Sequence, residues 1–258
     1  FDYFESKFTT YPFLTKLTKS ITLTLITMNN LLIKKVLIFA AALLISAPAI
    51  IAGGKKILYI GDSITDGNWG MNGSPTRSLT DMNHIYGHGY MYLCAAYYMS
   101  TYPEEEYQFF NRGIGGHKLP DLQARWQKDV LDINPDILSI LVGVNDLNYV
   151  YNHGEGKKEL DTVKFEQQYR DIIERSLKQN PNLTIVLGEP FIYPVGIWNQ
   201  DYKHWRTQCE IMASIVRKLA KEYNAIFLPY QQLFDDLAKD PKTPYLKYWM
   251  WDGIHPTA

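Results

Sequence analysis

The sequence predicts a single α/β domain built on a parallel sheet with helices on both faces. Three observations predict it. Short apolar segments rich in strand formers alternate with segments of helical periodicity along the chain, which is the pattern of successive βαβ units. Segment 136–142 is a near-continuous apolar run after its first residue, as expected of a strand covered on both faces. No internal repeat, low-complexity stretch or linker interrupts the alternation, and 46% of the 258 residues are hydrophobic, enough for one full core.

Taken in order, the first strand is expected over 56–60, apolar after Lys56 and rich in strand formers. It runs into Gly61-Asp62-Ser63-Ile64-Thr65-Asp66-Gly67, a sharp glycine turn that presents a serine where a helix should begin. Strand carboxyl ends form the ligand crevice of α/β proteins, so Ser63 is a candidate nucleophile. A serine at a helix start is also a candidate N-cap. The polar stretch 68–89 contains Trp69, His84 and His88 and is too long for a simple turn, as loops that are functional or disordered tend to be. His84 and His88 lack a carboxylate partner of metal-binding pattern and are read as loop or helix-start residues.

A helix over 90–101 and a strand over 107–111 follow, and the strand runs into Arg112-Gly113-Ile114-Gly115-Gly116-His117. Segment 119–131 has helical spacing, with Leu122, Trp126 and Val130 on one side. The central strand 136–142 ends in Gly143-Val144-Asn145-Asp146. An amphipathic helix over 164–179 is closed by Asn180-Pro181, and a fourth strand over 183–187 ends at Gly188-Glu189-Pro190. An aromatic loop, 191–205, leads to a helix ending near 223. A short fifth strand over 225–228 and a helix over 231–238 complete the predicted elements.

The first 52 residues stand apart from this pattern. Residues 1–27 join to nothing downstream and are expected to be a spurious or disordered upstream extension. From Met28 the chain reads as a signal peptide over 28–52: a short basic region to Lys35, an apolar region over 36–45, and small residues near Ala49 and Ala52. The alternative is a membrane anchor of about 17 apolar residues, at the lower limit for a span. The expectation is an exported protein, bacterial in type, with no stable membrane insertion once the signal is removed and a catalytic domain over 53–258. A net charge of −1 with no basic stripe excludes an electrostatic case for nucleic acid. Cys94 and Cys209 lie far apart and are read as buried free thiols. No metal or cofactor is implied.

Several of the strands end in residues suited to one reaction. A serine hydroxyl becomes a nucleophile when a neutral imidazole takes its proton, and the imidazole needs a carboxylate to fix its tautomer. Asp252 and His255, three residues apart near the chain end, are suited to supply both from one tight turn. A glycine-loop N–H and an Asn side-chain amide are suitable donors to an oxyanion.

The chain resembles the SGNH hydrolases, also called the GDSL esterase/lipase family. Four blocks carry the resemblance in order: Gly61-Asp62-Ser63 with Ile64-Thr65-Asp66, Asn111 to Gly116, Gly143-Val144-Asn145-Asp146, and Asp252-Gly253-Ile254-His255-Pro256. The resemblance implies a flavodoxin-like three-layer α/β/α sandwich with five parallel strands in the order 2-1-3-4-5. It implies Ser63 as nucleophile, His255 as general base and Asp252 as its orienting carboxylate. The implied oxyanion donors are the Ser63 and Gly116 backbone N–H groups and the Asn145 side chain. Gly116 is preferred to Gly113 and Gly115 by its distance from Asn111. Family members usually continue past the His-Pro segment into a final helix, so that helix is expected to be missing here.

Aromatic residues make up 14% of the chain. Trp69, Tyr149, Trp198 and Trp251, with Tyr151, Trp205 and Trp249, are predicted in loops around the carboxyl edge of the sheet. Rings facing a polar cleft suit stacking on sugar faces. Trp69, His117, Tyr149, Trp198 and Trp251 are therefore the candidate substrate-binding residues. The expected function is an exported serine esterase that deacetylates carbohydrate, acting on a small-molecule or polysaccharide ester through an acyl-enzyme. The alternatives are a lysophospholipase or thioesterase, or a non-catalytic glycan-binding protein.

Overall fold

A computed structural model describes residues 54–69, 84–153 and 159–257. The expected upstream extension over 1–27, the expected signal peptide over 28–52 and most of the long loop after Trp69 lie outside the described residues. Five parallel strands form one sheet in the order β2-β1-β3-β4-β5, with helices on both sides, as the resemblance implied. They are β1 (Lys56–Gly61), β2 (Gln108–Gly113), β3 (Ile137–Leu141), β4 (Thr184–Gly188) and β5 (Ile226–Leu228). Every residue of β3 is buried, which is why its sequence is continuous rather than alternating.

Register brings the functional segments together. Gly61 of β1 stands opposite Gly113 of β2 on one side and Leu141 of β3 on the other. The chain leaves β1 toward β2 and returns across it to β3. The crevice of such a sheet opens where the strand order reverses, between the carboxyl ends of β1 and β3. A Cβ on Gly61 would come 2.2 Å from the Leu141 carbonyl oxygen and 2.5 Å from Thr65 Oγ1, so only glycine lets the chain turn here without displacing β3.

The helices are α1 (Ser63–Asp66), α2 (Tyr90–Thr101), α3 (Leu119–Trp126), α4 (Val144–His153), α5 (Thr162–Gln179), α6 (Tyr202–Glu222) and α7 (Tyr230–Lys239). The sequence reading missed α4, which carries Asn145, Asp146, Tyr149 and Tyr151. It also began α6 too late: Trp205 lies in the first turn of that helix and not in a loop. Segment 119–131 is α-helical only to Trp126 and widens to a π-turn over Gln127–Leu131. Both cysteines are free thiols on helices, Cys209 buried and Cys94 half-buried. No described helix is long and apolar enough to cross a membrane.

Candidate active site

The nucleophile candidate is positioned by its neighbour. Asp62 is the N-cap of α1, and its Oδ1 accepts from Ile64 N at 2.9 Å. Capping is thus assigned to Asp62, and Ser63 Oγ is left to meet His255 Nε2 at 2.7 Å. Helix α1 stops after one turn because Gly67 adopts the left-handed conformation (φ 49°) and returns its N–H to the Ser63 carbonyl at 3.2 Å. Burial pushes the Asp62 carboxyl up to about 7, the expected direction for a carboxylate taken out of water.

His255 and Asp252 share one turn. Asp252 Oδ1 accepts from Ile254 N at 2.9 Å and His255 N at 2.8 Å, while Oδ2 stands 2.6 Å from His255 Nδ1. Partial burial raises the Asp252 carboxyl, but the bonds from His255 N–H, its ring and Ile254 N–H outweigh it and leave the group below its ordinary value. The base of the loop is closed by a bridge between Met250 and Pro256 and by Thr257 N donating to the Trp249 carbonyl at 3.0 Å. From the other side the β4–β5 connection holds it: Tyr193 N donates to the Gly253 carbonyl at 3.3 Å and Ile197 N to the Asp252 carbonyl at 3.2 Å.

The loop after β2 has its N–H groups assigned almost completely. Gly113 N donates to Asn111 Oδ1 at 2.9 Å, Gly115 N to Asp66 Oδ2 at 2.8 Å, and His117 N to the Ile114 carbonyl at 3.2 Å. Gly116, exposed and with φ 78°, is the loop glycine whose N–H has no bond to a described residue. Asn145 Nδ2 donates to the His117 carbonyl at 3.2 Å, which uses one of its two N–H groups and leaves the other to point elsewhere. Ser63, Gly116 and Asn145 thus stand beyond the ends of β1, β2 and β3, on the edge where Ser63 meets His255.

Residues that the sequence reading did not single out, or valued less, hold these parts in place. Asn111 Nδ2 reaches the carbonyls of Thr65 at 2.9 Å, Asp66 at 3.1 Å and Tyr86 at 2.9 Å, tying β2 to the nucleophile helix. Asp146 is buried and accepts from Leu119 N with both oxygens at 3.2 Å, and burial raises its carboxyl to about 7. Arg125 reaches back from α3 to the ends of two strands. Asn111 and Asp146 lie in two of the four blocks, whereas Arg125 carries no sequence signal beyond a polar residue on a helix, which many surface residues share.

Of the five substrate-binding candidates, two are contradicted. Trp69 is 6% exposed, and its Nε1 donates to the Gly113 carbonyl at 2.7 Å. It braces the loop after β2 from within. Trp198 is fully buried among Tyr151 and Trp205, with its ring edge beneath Gly253, where an added Cβ would meet Cδ1 at 2.7 Å. Both rings are scaffolding. Trp251 is 61% exposed and stacks beside the His255 ring, centroids 6.3 Å apart and planes 25° from parallel. Tyr149 is 54% exposed, stacks on His153 and has Lys118 Nζ 5.3 Å from its ring centre. His117 is half-buried, and its Nδ1 accepts from Arg125 Nε at 3.2 Å. Burial and then the Arg125 charge lower its pKa, which favours the neutral ring, and an Nδ1 that accepts from Arg125 leaves the ring proton on Nε2.

An imidazole between a carboxylate and a serine hydroxyl, beside unspent N–H donors, is equipped for acyl transfer. The comparisons agree. The model of the GDSL-like lipase/acylhydrolase family matches residues 59–258. The chain is similar to an acetylxylan esterase of Geobacillus stearothermophilus, 30% identical over 211 residues that cover 81% of this chain and 89% of the relative. The solved structure of that esterase matches with a TM-score of 0.64 over 80% of this chain and 89% of its own. A Parabacteroides merdae protein assigned as a GDSL-like lipase is 33% identical, with a TM-score of 0.68 over 81% of this chain and 92% of its own. The chain belongs to the GDSL-like lipase/acylhydrolase family and is a serine ester hydrolase.

Proposed function

We propose that this esterase removes acetyl groups from carbohydrate, with Ser63 as nucleophile, His255 as base and Asp252 as the carboxylate that orients it. The observation that carries the catalytic assignment is the unbroken line of contacts from Asp252 Oδ2 through both nitrogens of His255 to Ser63 Oγ, at 2.6 and 2.7 Å. The observation that carries the substrate class is the similarity to an acetylxylan esterase across 89% of its length. Solved structures of that esterase include catalytic mutants in which a serine, an aspartate or a histidine is replaced by alanine, the last two three residues apart. Asp252 and His255 have the same spacing.

In the reaction, His255 Nε2 takes the Ser63 hydroxyl proton as Oγ attacks the acetyl carbonyl carbon. Asp252 accepts from Nδ1–H and stabilises the imidazolium. Negative charge developing on the carbonyl oxygen is met by the Ser63 and Gly116 N–H groups and the free N–H of Asn145. The intermediate collapses, the sugar oxygen leaves with the proton from His255, and the acetyl group stays on Ser63. Water, deprotonated by His255, then releases acetate. The exposed Trp251 ring beside His255 is placed to stack on the sugar, with Tyr149 as the second exposed ring. Export belongs to the same reading, supported by the basic stretch before Val36 and the apolar run after it.

The test compares wild type with Ser63→Ala on p-nitrophenyl acetate, and wild type on acetylated xylooligosaccharides against a lysolipid. The expected result is a loss of several orders of magnitude for Ser63→Ala, with acetate released from the oligosaccharide and no turnover of the lysolipid. Equal activity in the two proteins would remove Ser63 from the chemistry, and preference for the lysolipid would replace the substrate class.

A further inference from the structure

We infer that Arg125 is the positioning residue that holds the three oxyanion donors in mutual register. The inference rests on the donor assignment proposed above. Arg125 lies on α3, outside the four blocks, and no part of the reaction so far requires it. Its guanidinium uses all three nitrogens. Nη2 donates to the Gly61 carbonyl at 3.1 Å, Nη1 to the Arg112 carbonyl at 2.7 Å, and Nε to His117 Nδ1 at 3.2 Å.

These three acceptors lead to the three donors by short covalent or hydrogen-bonded paths. Gly61 closes β1 two residues before Ser63 N–H. His117 follows Gly116, so fixing its ring fixes the adjoining peptide. The His117 carbonyl accepts from Asn145 Nδ2 at 3.2 Å, so the same residue also orients the Asn145 amide. Arg112 is the penultimate residue of β2, the strand from which the loop departs. One planar fork therefore spans the ends of β1 and β2 and the far side of the loop.

The side chain is 12% exposed, and its charge is balanced by Asp129, whose Oδ2 accepts from Nη1 at 2.8 Å. A lysine supplies one point of donors and cannot reach the three separated acceptors at once. The Gly61 carbonyl also accepts from Ile114 N at 3.1 Å, so the fork adds to the sheet ladder a tie from α3 that includes the far side of the loop.

The experiment measures kcat and KM for Arg125→Lys and Arg125→Met on p-nitrophenyl acetate and on an aryl thionoacetate, in which sulfur replaces the carbonyl oxygen. A well-registered oxyanion site favours oxygen over the larger sulfur. The expected result is a fall of about 10²-fold in kcat on the oxygen ester, the order seen for loss of one oxyanion donor, with KM little changed and the oxygen-to-sulfur preference reduced. A fall in kcat that leaves this preference unchanged, or no fall in kcat, would overturn the inference. Because Arg125 variants risk misfolding, the half-buried His117 supplies a second pair. His117→Leu is expected to lose activity and oxygen preference, and His117→Asn, whose Oδ1 stands near the place of Nδ1, to recover most of both. Equal behaviour of the two would also overturn it. Ser63→Ala separates the failures: full activity there sinks the catalytic reading, whereas an inert Ser63→Ala beside fully active Arg125 variants sinks only this inference.

Discussion

Asp252→Asn tests the catalytic turn most sharply, because the local hydrogen bonds dictate how the new amide must sit. Asp252 Oδ1 accepts from two backbone N–H groups, Ile254 at 2.9 Å and His255 at 2.8 Å. An asparagine keeps its carbonyl oxygen there, since turning its NH₂ toward two donors would leave both without an acceptor. The amide nitrogen then faces His255 Nδ1 across the 2.6 Å contact and donates to it. His255 is forced to carry its proton on Nε2, the nitrogen 2.7 Å from Ser63 Oγ, and cannot take the serine proton. The same tautomer reversal in a serine protease costs about 10⁴ in kcat, equivalent to about 5.5 kcal/mol of barrier. Steady-state hydrolysis of p-nitrophenyl acetate, with circular dichroism to confirm an intact fold, measures it. Asp252→Asn retaining a tenth or more of the wild-type kcat would refute the tautomer argument.

Three further outcomes are expected. Asn145→Ala should lower kcat by about 10²–10³ with KM little affected, as for removal of one oxyanion donor; steady-state kinetics checks it. Gly196 has φ 62°, and a Cβ there would come 1.9 Å from the Asp252 carbonyl oxygen, so Gly196→Ala should push the catalytic turn outward and lower kcat by about 10²-fold, measured beside the thermal midpoint. Burial lifts Asp62 and Asp146 to about 7, whereas in the unfolded chain they titrate near about 4. Between those values the folded state holds more protons, so stability should fall as pH rises through the window. Denaturant titrations at several pH values should show a flatter slope for Asp146→Asn, which keeps an acceptor for Leu119 N.

What the sequence made legible was whatever depends on local order. The five strands, the turn at Gly61 and the Asp252–His255 spacing are short-range patterns, and each is found where it was read. Helix α4 escaped because Val144–His153 mixes β-branched, aromatic and Asn residues with weak helix preference, and it packs against α6, a partner far along the chain. Trp69 and Trp198 misled for a different reason. In a segment without periodicity, nothing in sequence distinguishes a ring turned toward the cleft from one turned under it. The supports of the loop after β2 were hidden for a third reason: Asp66 meets Gly115 across 49 residues and Arg125 meets Gly61 across 64, separations at which a single sequence carries no contact signal.

The burial of those two tryptophans changes how the aromatic richness is understood. A substrate surface made of many rings would bind a long polysaccharide along a track. Here Trp69 and Trp198 sit beneath the loop after β2 and beneath Gly253, where each supports a backbone that carries a residue of the proposed site. Of the rings read as substrate-binding, the exposed Trp251 and Tyr149 are left. Trp251 stacks beside His255, the proposed base, so on that reading a sugar stacked on it would lie next to the scissile ester. On the proposed reading, such a site is expected to recognise the sugar that bears the acetyl group and little beyond it. Short acetylated oligosaccharides should therefore match long acetylated xylan in kcat/KM per acetyl group, and Trp251→Ala should raise KM for the sugar ester while leaving p-nitrophenyl acetate nearly unaffected. A strong preference for the long polymer, or an equal loss on both substrates, would refute that argument.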